Sequence, residues 1–150
     1  MRIVTTLLMT AIAFAPTGAR AECRPSDEIV RVRISLEPAK NVHLAGLVLA
    51  VTYPADRLVI PGQGQDAGRS ALVEVPEGAF TMSEDRDGEL RLVVAKAEAL
   101  KLDPLCEITF HRCEGAESAK FEEVSCRVTD ASDPTTNKIK DVRCSVDAAS

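Results

Sequence analysis

Apolar and polar residues alternate along most of this chain with a period of two, which is typical of β-strands. The longest apolar run after the N-terminal segment, residues 44–62, is apolar at both odd and even positions until it reaches Tyr53 and Pro54. Such a run favours a central strand that is covered on both faces. Proline ends this strand because it has no N–H for the ladder, and a short second run follows at 58–60. We expect the other strands to lie around this segment.

Further alternating segments predict the remaining strands. They lie at 28–36, at 69–75, from Phe80 to a hairpin turn at 85–88, from that turn to Val94, and at 105–113, 120–129 and 138–146. The segment 95–102 has a helix-forming composition, but it is too short for an independent helix and predicts a helical turn or an irregular connection. About nine short strands without room for crossover helices exclude a parallel α/β fold and predict an all-β antiparallel sandwich or barrel.

Residues 1–21 have the pattern of a secretory signal peptide. Arg2 gives a basic start, the apolar stretch 3–15 is too short to span a bilayer, and Ala19, Arg20 and Ala21 form a small-x-small cleavage site. We therefore expect cleavage near Ala21, a secreted protein that is extracellular or periplasmic, and a single domain over 22–150. No later apolar run in the sequence is long enough to cross a membrane.

The charge of the expected mature chain limits the choice of partner. Without Arg2 and Arg20, 16 of the 18 basic residues remain against 23 acidic residues, a net charge of −7. An acidic protein is a poor match for a phosphate backbone or for an anionic lipid surface. We therefore expect no nucleic acid and no membrane among its partners.

All five cysteines lie after the predicted cleavage site: Cys23, Cys106, Cys113, Cys126 and Cys144. In a secreted protein they predict disulfides, and the absence of a Cys-x-x-Cys pair from the sequence argues against zinc and thiol-redox chemistry. Cys126 and Cys144 would close a loop of about 18 residues, worth about 3 kcal/mol, and Cys113 with Cys126 is the rival pairing. Cys23 would reach the last strands if the chain ends lie together. We expect at least one disulfide among Cys113, Cys126 and Cys144.

The sequence has no recognisable catalytic or metal-binding motif. His43 and His111 are its two histidines, and His111 with Cys113 has the spacing of a metal pair but no third ligand. Two acidic groups lack the spacing of an EF-hand loop and are interpreted as solvated turns: Glu84, Asp85, Asp87 and Glu89, and Asp130, Asp133 and Asp141. No Ser-His-Asp or Cys-His motif stands out. We therefore expect neither an enzyme nor a cofactor.

Three groups of residues occur in the order of a known family. They are Tyr53, Leu58, Pro61 and Gly62; the segment 87–93, which reads Asp-Gly-Glu-Leu-Arg-Leu-Val; and Leu105, Ile108, Thr109 and Phe110. In this order and spacing, residues 28–146 resemble the cohesin domain of secreted scaffold proteins. The resemblance implies a nine-stranded jelly roll, a two-sheet antiparallel β-sandwich whose fold is shared with a group of carbohydrate-binding modules.

The resemblance also implies a function. Cohesin domains are non-catalytic and bind a partner protein, the dockerin, through one sheet face. The matching face of this chain would carry Gly46, Val48, Ala50 and Thr52. It departs from the family pattern at Pro54, where an aspartate usually follows the tyrosine, and at Gly46 and Val48, where the family has polar recognition residues.

Binding of a polysaccharide on the same fold is the alternative function. Flat polysaccharide faces require stacked aromatic rings. After residue 21 the chain has four aromatic residues and no tryptophan: Tyr53, Phe80, Phe110 and Phe121. Tyr53, Phe80 and Phe110 fall in apolar registers and are expected in the core. We therefore favour a protein partner over a sugar.

Overall fold

The computed structural model of this protein describes residues 22–62, 71–86 and 88–149. The predicted signal peptide, the polar loop expected after Gly62 and the hairpin residue Asp87 lie outside the described residues. Among the residues that are described, no helix combines the length and the apolar character that a membrane span requires.

The described part of the chain consists of strands and one short 3-10 helix at Phe121–Glu123. The strands are β1 (Pro25–Glu37), β2 (Gly46–Thr52), β3 (Leu58–Val59), β4 (Leu72–Val73), β5 (Phe80–Asp85), β6 (Glu89–Ala95), β7 (Cys106–Cys113), β8 (Ser125–Ser132) and β9 (Arg143–Ala148).

The strands form two antiparallel sheets. Sheet one has the order β3-β7-β1-β9, and sheet two has the order β5-β6-β2-β8. The prediction of an all-β, two-sheet antiparallel sandwich is therefore confirmed. Within the described residues, these two continuous orders contain eight strands, one fewer than the expected number of about nine. The two-residue strand β4 lies off these orders and pairs with β7 beside β3.

The core lies between the two sheets. Sheet one contributes Val32, Ile34, Ile108 and Phe110, and sheet two contributes Leu47, Leu49, Val51, Leu90, Leu92 and Val94, all almost fully buried. Tyr53 packs against Phe110 with ring centroids 5.0 Å apart, and its hydroxyl group donates a hydrogen bond of 2.7 Å to Asp85 Oδ1. The Tyr53 ring is thus buried, and its hydroxyl group has a hydrogen-bond partner, as a buried tyrosine requires.

The strand β2 is central, as its apolar composition predicts, because it pairs with β6 on one side and β8 on the other. The expectation that both of its faces are covered is wrong. Leu47, Leu49 and Val51 face the core, but Val48 is partly exposed and Thr52 is exposed. In a sandwich of two sheets, each sheet can bury only one of its faces against the other.

The segment 95–102 is an irregular connection without a helical turn beyond β6. Its backbone is held by another part of the chain, because the N–H groups of Lys96 and Leu100 donate to the carbonyl oxygens of Ala45 and Leu44. These hydrogen bonds replace those that a helix would form within itself. Helix-forming composition over eight residues is too weak to prevent this.

Three predicted strands are shorter than expected. Of the segment 69–75, only Leu72–Val73 is a strand among the residues described. The strand expected from residue 120 begins at Ser125, because Phe121–Glu123 forms a 3-10 turn in which Glu123 Oε2 accepts from the Lys120 N–H. The strand expected from residue 138 begins at Arg143, since residues 138 and 139 instead bond to the end of β8.

Two disulfides tie the sandwich together, which confirms the expectation of disulfide bonds. Cys126 and Cys144 are joined across β8 and β9 with Cα atoms 5.9 Å apart, so the rival pairing of Cys113 with Cys126 is not formed. Cys23 is joined to Cys113, 90 residues away, at the end of β7 and not to the last strands. The reason is the register of β1, which places Pro25 opposite Cys113. Cys106 is unpaired and buried in the core.

Removal of each disulfide should lower the free energy of unfolding, and the loss should increase with the logarithm of the length of the loop that the disulfide closes. We expect the double variant Cys126→Ala/Cys144→Ala, which opens an 18-residue loop, to lose about 3 kcal/mol. The variant Cys23→Ala/Cys113→Ala opens a 90-residue loop and should lose more, about 4.5 kcal/mol. Urea unfolding followed by circular dichroism measures both values. Equal midpoints for the wild type and either variant would contradict the expectation.

Candidate functional site

The outer side of sheet two, which we call the open face, contains the four residues that the sequence marks as a partner face. Gly46, Val48, Ala50 and Thr52 lie on β2 in the middle of the sheet. Residues directly opposite one another on paired strands point to the same side. The open face therefore also includes Ala95, Val93, Arg91 and Glu89 from β6, and Ser132, Asp130, Arg127 and Ser125 from β8.

The strand β5 is oriented with its apolar residues outward. Phe80 is opposite Ala95 and Met82 is opposite Val93, so both point to the open face. Their exposed fractions are 60% and 46%. Ser83, which alternates with them, is buried on the inner side. The prediction that Phe80 lies in the core is wrong, because alternation shows only that two sets of residues face opposite ways and not which set faces inward.

On the open face, the exposed and partly exposed apolar residues of β5, β6 and β2 are neighbours and form one patch. Met82, Val93 and Val48 are neighbours in the registers of β5, β6 and β2, and Phe80 lies one pair further along β5. We call Phe80, Met82, Val93 and Val48 the apolar patch. Contiguous apolar surface with a polar border is typical of interaction sites.

Charged residues occupy the other end of the open face. The Glu89 carboxylate accepts a hydrogen bond of 2.9 Å from Arg91 Nε and one of 3.5 Å from Arg127 Nη2. Arg91 and Arg127 lie directly opposite Ala50 on its two neighbouring strands, and Ala50 is almost fully buried between them. The hydrogen bond from Arg91 holds the pKa of the Glu89 carboxyl below its ordinary value of 4.5, and Arg127 contributes to the same effect.

The β2 end nearest the apolar patch has a shallow depression. Its volume is about 230 Å³, and its lining includes Gly46, Val48, Asp130 and Ser132. A Cβ atom at Gly46 would lie 2.8 Å from Ser132 Oγ, so a larger residue there would have to displace that hydroxyl group and would fill part of the depression. The depression allows a partner to approach the β2 backbone closely, as glycine within a strand often does.

The outer side of sheet one has a different character. Arg33 Nη2 lies 3.0 Å from Glu107 Oε1, and Ser35 Oγ donates a hydrogen bond of 3.0 Å to Asp103. Ile29 is an exposed apolar residue on this side, with an exposed fraction of 47%. Its direct β7 partner is His111 rather than another apolar residue. The two outer sides of the sandwich therefore differ, since a connected apolar patch is found on sheet two and cross-linked polar groups on sheet one.

The residues considered for metal binding are engaged elsewhere. Cys113 is in a disulfide, and His111 Nδ1 lies 2.9 Å from the carbonyl oxygen of Ser26. Glu84 pairs with Arg86. The part of the chain that the structure describes has no group of three or more His, Cys, Asp or Glu side chains positioned to hold a metal ion.

Two residues of the second acidic group, Asp130 and Asp133, make local contacts. Asp133 closes its own turn, because its carboxylate accepts hydrogen bonds from the backbone and side chains of Thr135 and Asn137. These bonds, first of all the one from the Asn137 side chain, lower the pKa of the Asp133 carboxyl below its ordinary value of 3.8. Asp130 accepts from the Ala131 N–H. Asp133 thus stabilises the loop between β8 and β9.

No protein-family model matches this chain, and no curated protein matches it at a significant level. A functional assignment therefore rests on the open face and on the residues that form it.

The titration of Glu89 should report the arginine contacts of the open face. We expect its carboxyl to titrate below pH 4.5, so that the contact is present above that pH and is lost as the pH falls through the lowered pKa. Replacement of Arg91 by Gln should raise the pKa of Glu89 more than replacement of Arg127 by Gln, because the Arg91 hydrogen bond is the shorter one. Carbon-13 chemical shifts of the Glu89 carboxyl measure this. Equal titration midpoints in the wild type and both variants would exclude the arrangement.

Proposed function

We propose that this protein is a secreted, non-catalytic binding module of the cohesin type that holds a partner protein, dockerin-like or another assembly component, on the open face. One observation carries the proposal. The edge strand β5 directs Phe80 and Met82 to the outside and Ser83 to the inside. A chain selected only for its own stability would gain from the opposite orientation, because apolar side chains are stabilised by burial.

The composition of the open face supports a protein as the partner. Interfaces between proteins combine an apolar centre rich in aromatic residues and methionine with a polar border in which arginine is common. The apolar patch supplies the first element with Phe80 and Met82. The cluster of Arg91, Glu89 and Arg127 supplies the second, since it lies at the end of the face away from Phe80.

The depression at Gly46 gives the open face a recess that a partner's side chain can enter. A face made only of side chains on a regular sheet is nearly flat, whereas Gly46 leaves room next to Val48 and Ser132. A side chain from a partner can enter there and contact the apolar patch at the same time. Such pockets within an interface are where binding energy tends to concentrate.

Two disulfides support a secreted location. Disulfides persist in oxidising compartments, and the pairs Cys23–Cys113 and Cys126–Cys144 cross-link the described residues. The N-terminal sequence pattern of a signal peptide points to the same compartments.

The residues that carry the cohesin resemblance support the fold part of the proposal. Tyr53, Leu58, Leu90, Leu92, Leu105, Ile108 and Phe110 are all in the core between the sheets. Their burial supports a packed two-sheet sandwich, which is the fold that the resemblance implies. The identity of the partner depends instead on the open face, where this chain has Gly46 and Val48 in place of polar residues.

Polysaccharide binding is the second candidate, and the exposure of Phe80 favours it. An exposed ring can stack on a sugar. The other described aromatic residues are not available for a row of stacking rings, because Tyr53 and Phe110 are buried and Phe121 packs against the core. A single exposed ring suits a protein partner better than a long glycan.

A variant that places charge in the apolar patch should abolish capture of the partner. The bait is residues 22–150 with an affinity tag, exposed to culture fluid and periplasmic extract of the source organism. We expect the wild type to retain a specific protein and Phe80→Glu/Met82→Glu to lose it, because two charges would be buried at the interface without partners. Mass spectrometry of the eluted bands is the measurement.

The matched control for this experiment is Ile29→Glu. Ile29 is about as exposed as Met82 but lies on the outer side of sheet one, so this variant should retain the partner. Circular dichroism should show all variants folded, since the substituted side chains are exposed. Capture that survives in Phe80→Glu/Met82→Glu, or the absence of any specific protein on the wild type, would overturn the proposal.

Affinity electrophoresis separates the two candidate functions. Native gels that contain cellulose, xylan or chitin derivatives should not retard the wild type relative to a gel without polysaccharide, because a single exposed phenylalanine provides little stacking area. Retardation that Phe80→Ala removes and Ile29→Ala leaves unchanged would instead establish sugar binding at the open face.

A further inference from the structure

The sulfur atoms of this protein differ sharply in their access to solvent. The sequence after residue 21 contains five cysteines and one methionine, Met82. Four of the cysteines are in disulfides, and the fifth, Cys106, has an exposed fraction of 0%. Met82 has an exposed fraction of 46%. It is therefore the reduced sulfur that a dissolved oxidant reaches most easily.

The buried thiol does not compete with Met82. A cysteine reacts with peroxides as the thiolate, not as the neutral thiol. Burial in the core raises the pKa of the Cys106 thiol to about 12, so the group is protonated at neutral pH. Both its low accessibility and its protonation state protect it.

We propose that Met82 is an oxidation site, and that its conversion to methionine sulfoxide by a peroxide switches the apolar patch from an apolar to a polar surface. In this step the thioether sulfur forms a bond to one oxygen of hydrogen peroxide while the O–O bond breaks. The other oxygen takes up the proton of the transferred oxygen and leaves as water. Sulfur loses two electrons, and the peroxide gains them.

The position of Met82 determines the effect of this change. Its side chain lies opposite Val93, with Phe80 two residues away on the same side of β5. A sulfoxide oxygen there is a strong hydrogen-bond acceptor within apolar surroundings. Water solvates it in the free protein, but a partner that covered the patch would have to remove that water. The modification therefore leaves the fold intact and acts on the open face.

The first experiment treats the folded protein with dilute hydrogen peroxide in the presence of N-acetylmethionine as an internal competitor. Peptide mapping by mass spectrometry should show a gain of one oxygen, about 16 Da, on Met82 at a rate within roughly threefold of the competitor. Cys106 should remain unmodified over the same time. A Met82 that stays reduced while the competitor is consumed, or oxidation of Cys106 before Met82, would overturn the proposal.

The second experiment tests the change of surface without any partner. Wild type that is oxidised at Met82 should elute earlier from a hydrophobic-interaction column than wild type that has not been treated with peroxide. The matched control Met82→Leu retains the apolar volume, lacks the sulfur and should elute at the same position before and after peroxide. Unchanged retention of the oxidised wild type would show that the modification does not switch the patch. Treatment with the two methionine sulfoxide reductases, one for each sulfoxide epimer, should remove the added oxygen from Met82, and peptide mapping of the product measures this.

The consequence for binding rests on the proposed function, and a third measurement isolates it. This measurement uses the partner captured by the wild type. Oxidation of the wild type should weaken binding of that partner by roughly tenfold or more, whereas peroxide treatment should leave the binding of Met82→Leu unchanged. Equal affinities before and after oxidation would refute the regulatory role. Failure to capture any partner would count against the proposed function alone, because mass and retention still decide whether Met82 is the oxidation site.

Discussion

The structure depends on one geometric constraint: a sheet in a two-layer sandwich can bury only one side. Leu47, Leu49 and Val51 of β2 use that side, because they belong to the buried cluster between the two sheets. The alternate residues of β2 must then face away from the core. In this chain those residues include Val48 and Ala50, so the most central strand of sheet two carries apolar groups to the outside.

The neighbouring strands meet this constraint in two different ways. At one end of the open face, Arg91 and Arg127 lie on either side of Ala50 and both donate hydrogen bonds to Glu89. The two arginines thereby shield the Ala50 side chain from water. At the other end, Phe80 and Met82 enlarge the apolar surface next to Val48 instead of covering it. The open face is thus divided into a charged part and an apolar part. This division suits an interface with a dry centre and a polar border.

The proposed oxidation of Met82 would link the open face to the same oxidising conditions in which disulfides persist. Oxidation that forms Cys23–Cys113 and Cys126–Cys144 stabilises the sandwich, because each bond joins distant parts of the chain. Cys106 is protected by its burial in the core. Met82 alone presents a reduced sulfur on the open face among the residues described. One chemical condition can therefore support the fold and also alter the surface that it displays.

Local pattern was sufficient to determine much of this protein. Alternation placed β1, β2, β6 and β7, and the composition and turns excluded a parallel fold, because a period of two and the conformation of proline and glycine are properties of the backbone itself. Tertiary structure alone decided which side of β5 faces inward, which cysteine Cys23 meets, and that 95–102 bonds to Ala45 and Leu44 instead of forming a turn of helix. These outcomes depend on partners far away in the chain. Alternation separates the side chains of a strand into two sets but does not tell which set faces inward. Packing against the second sheet determines which set becomes the core.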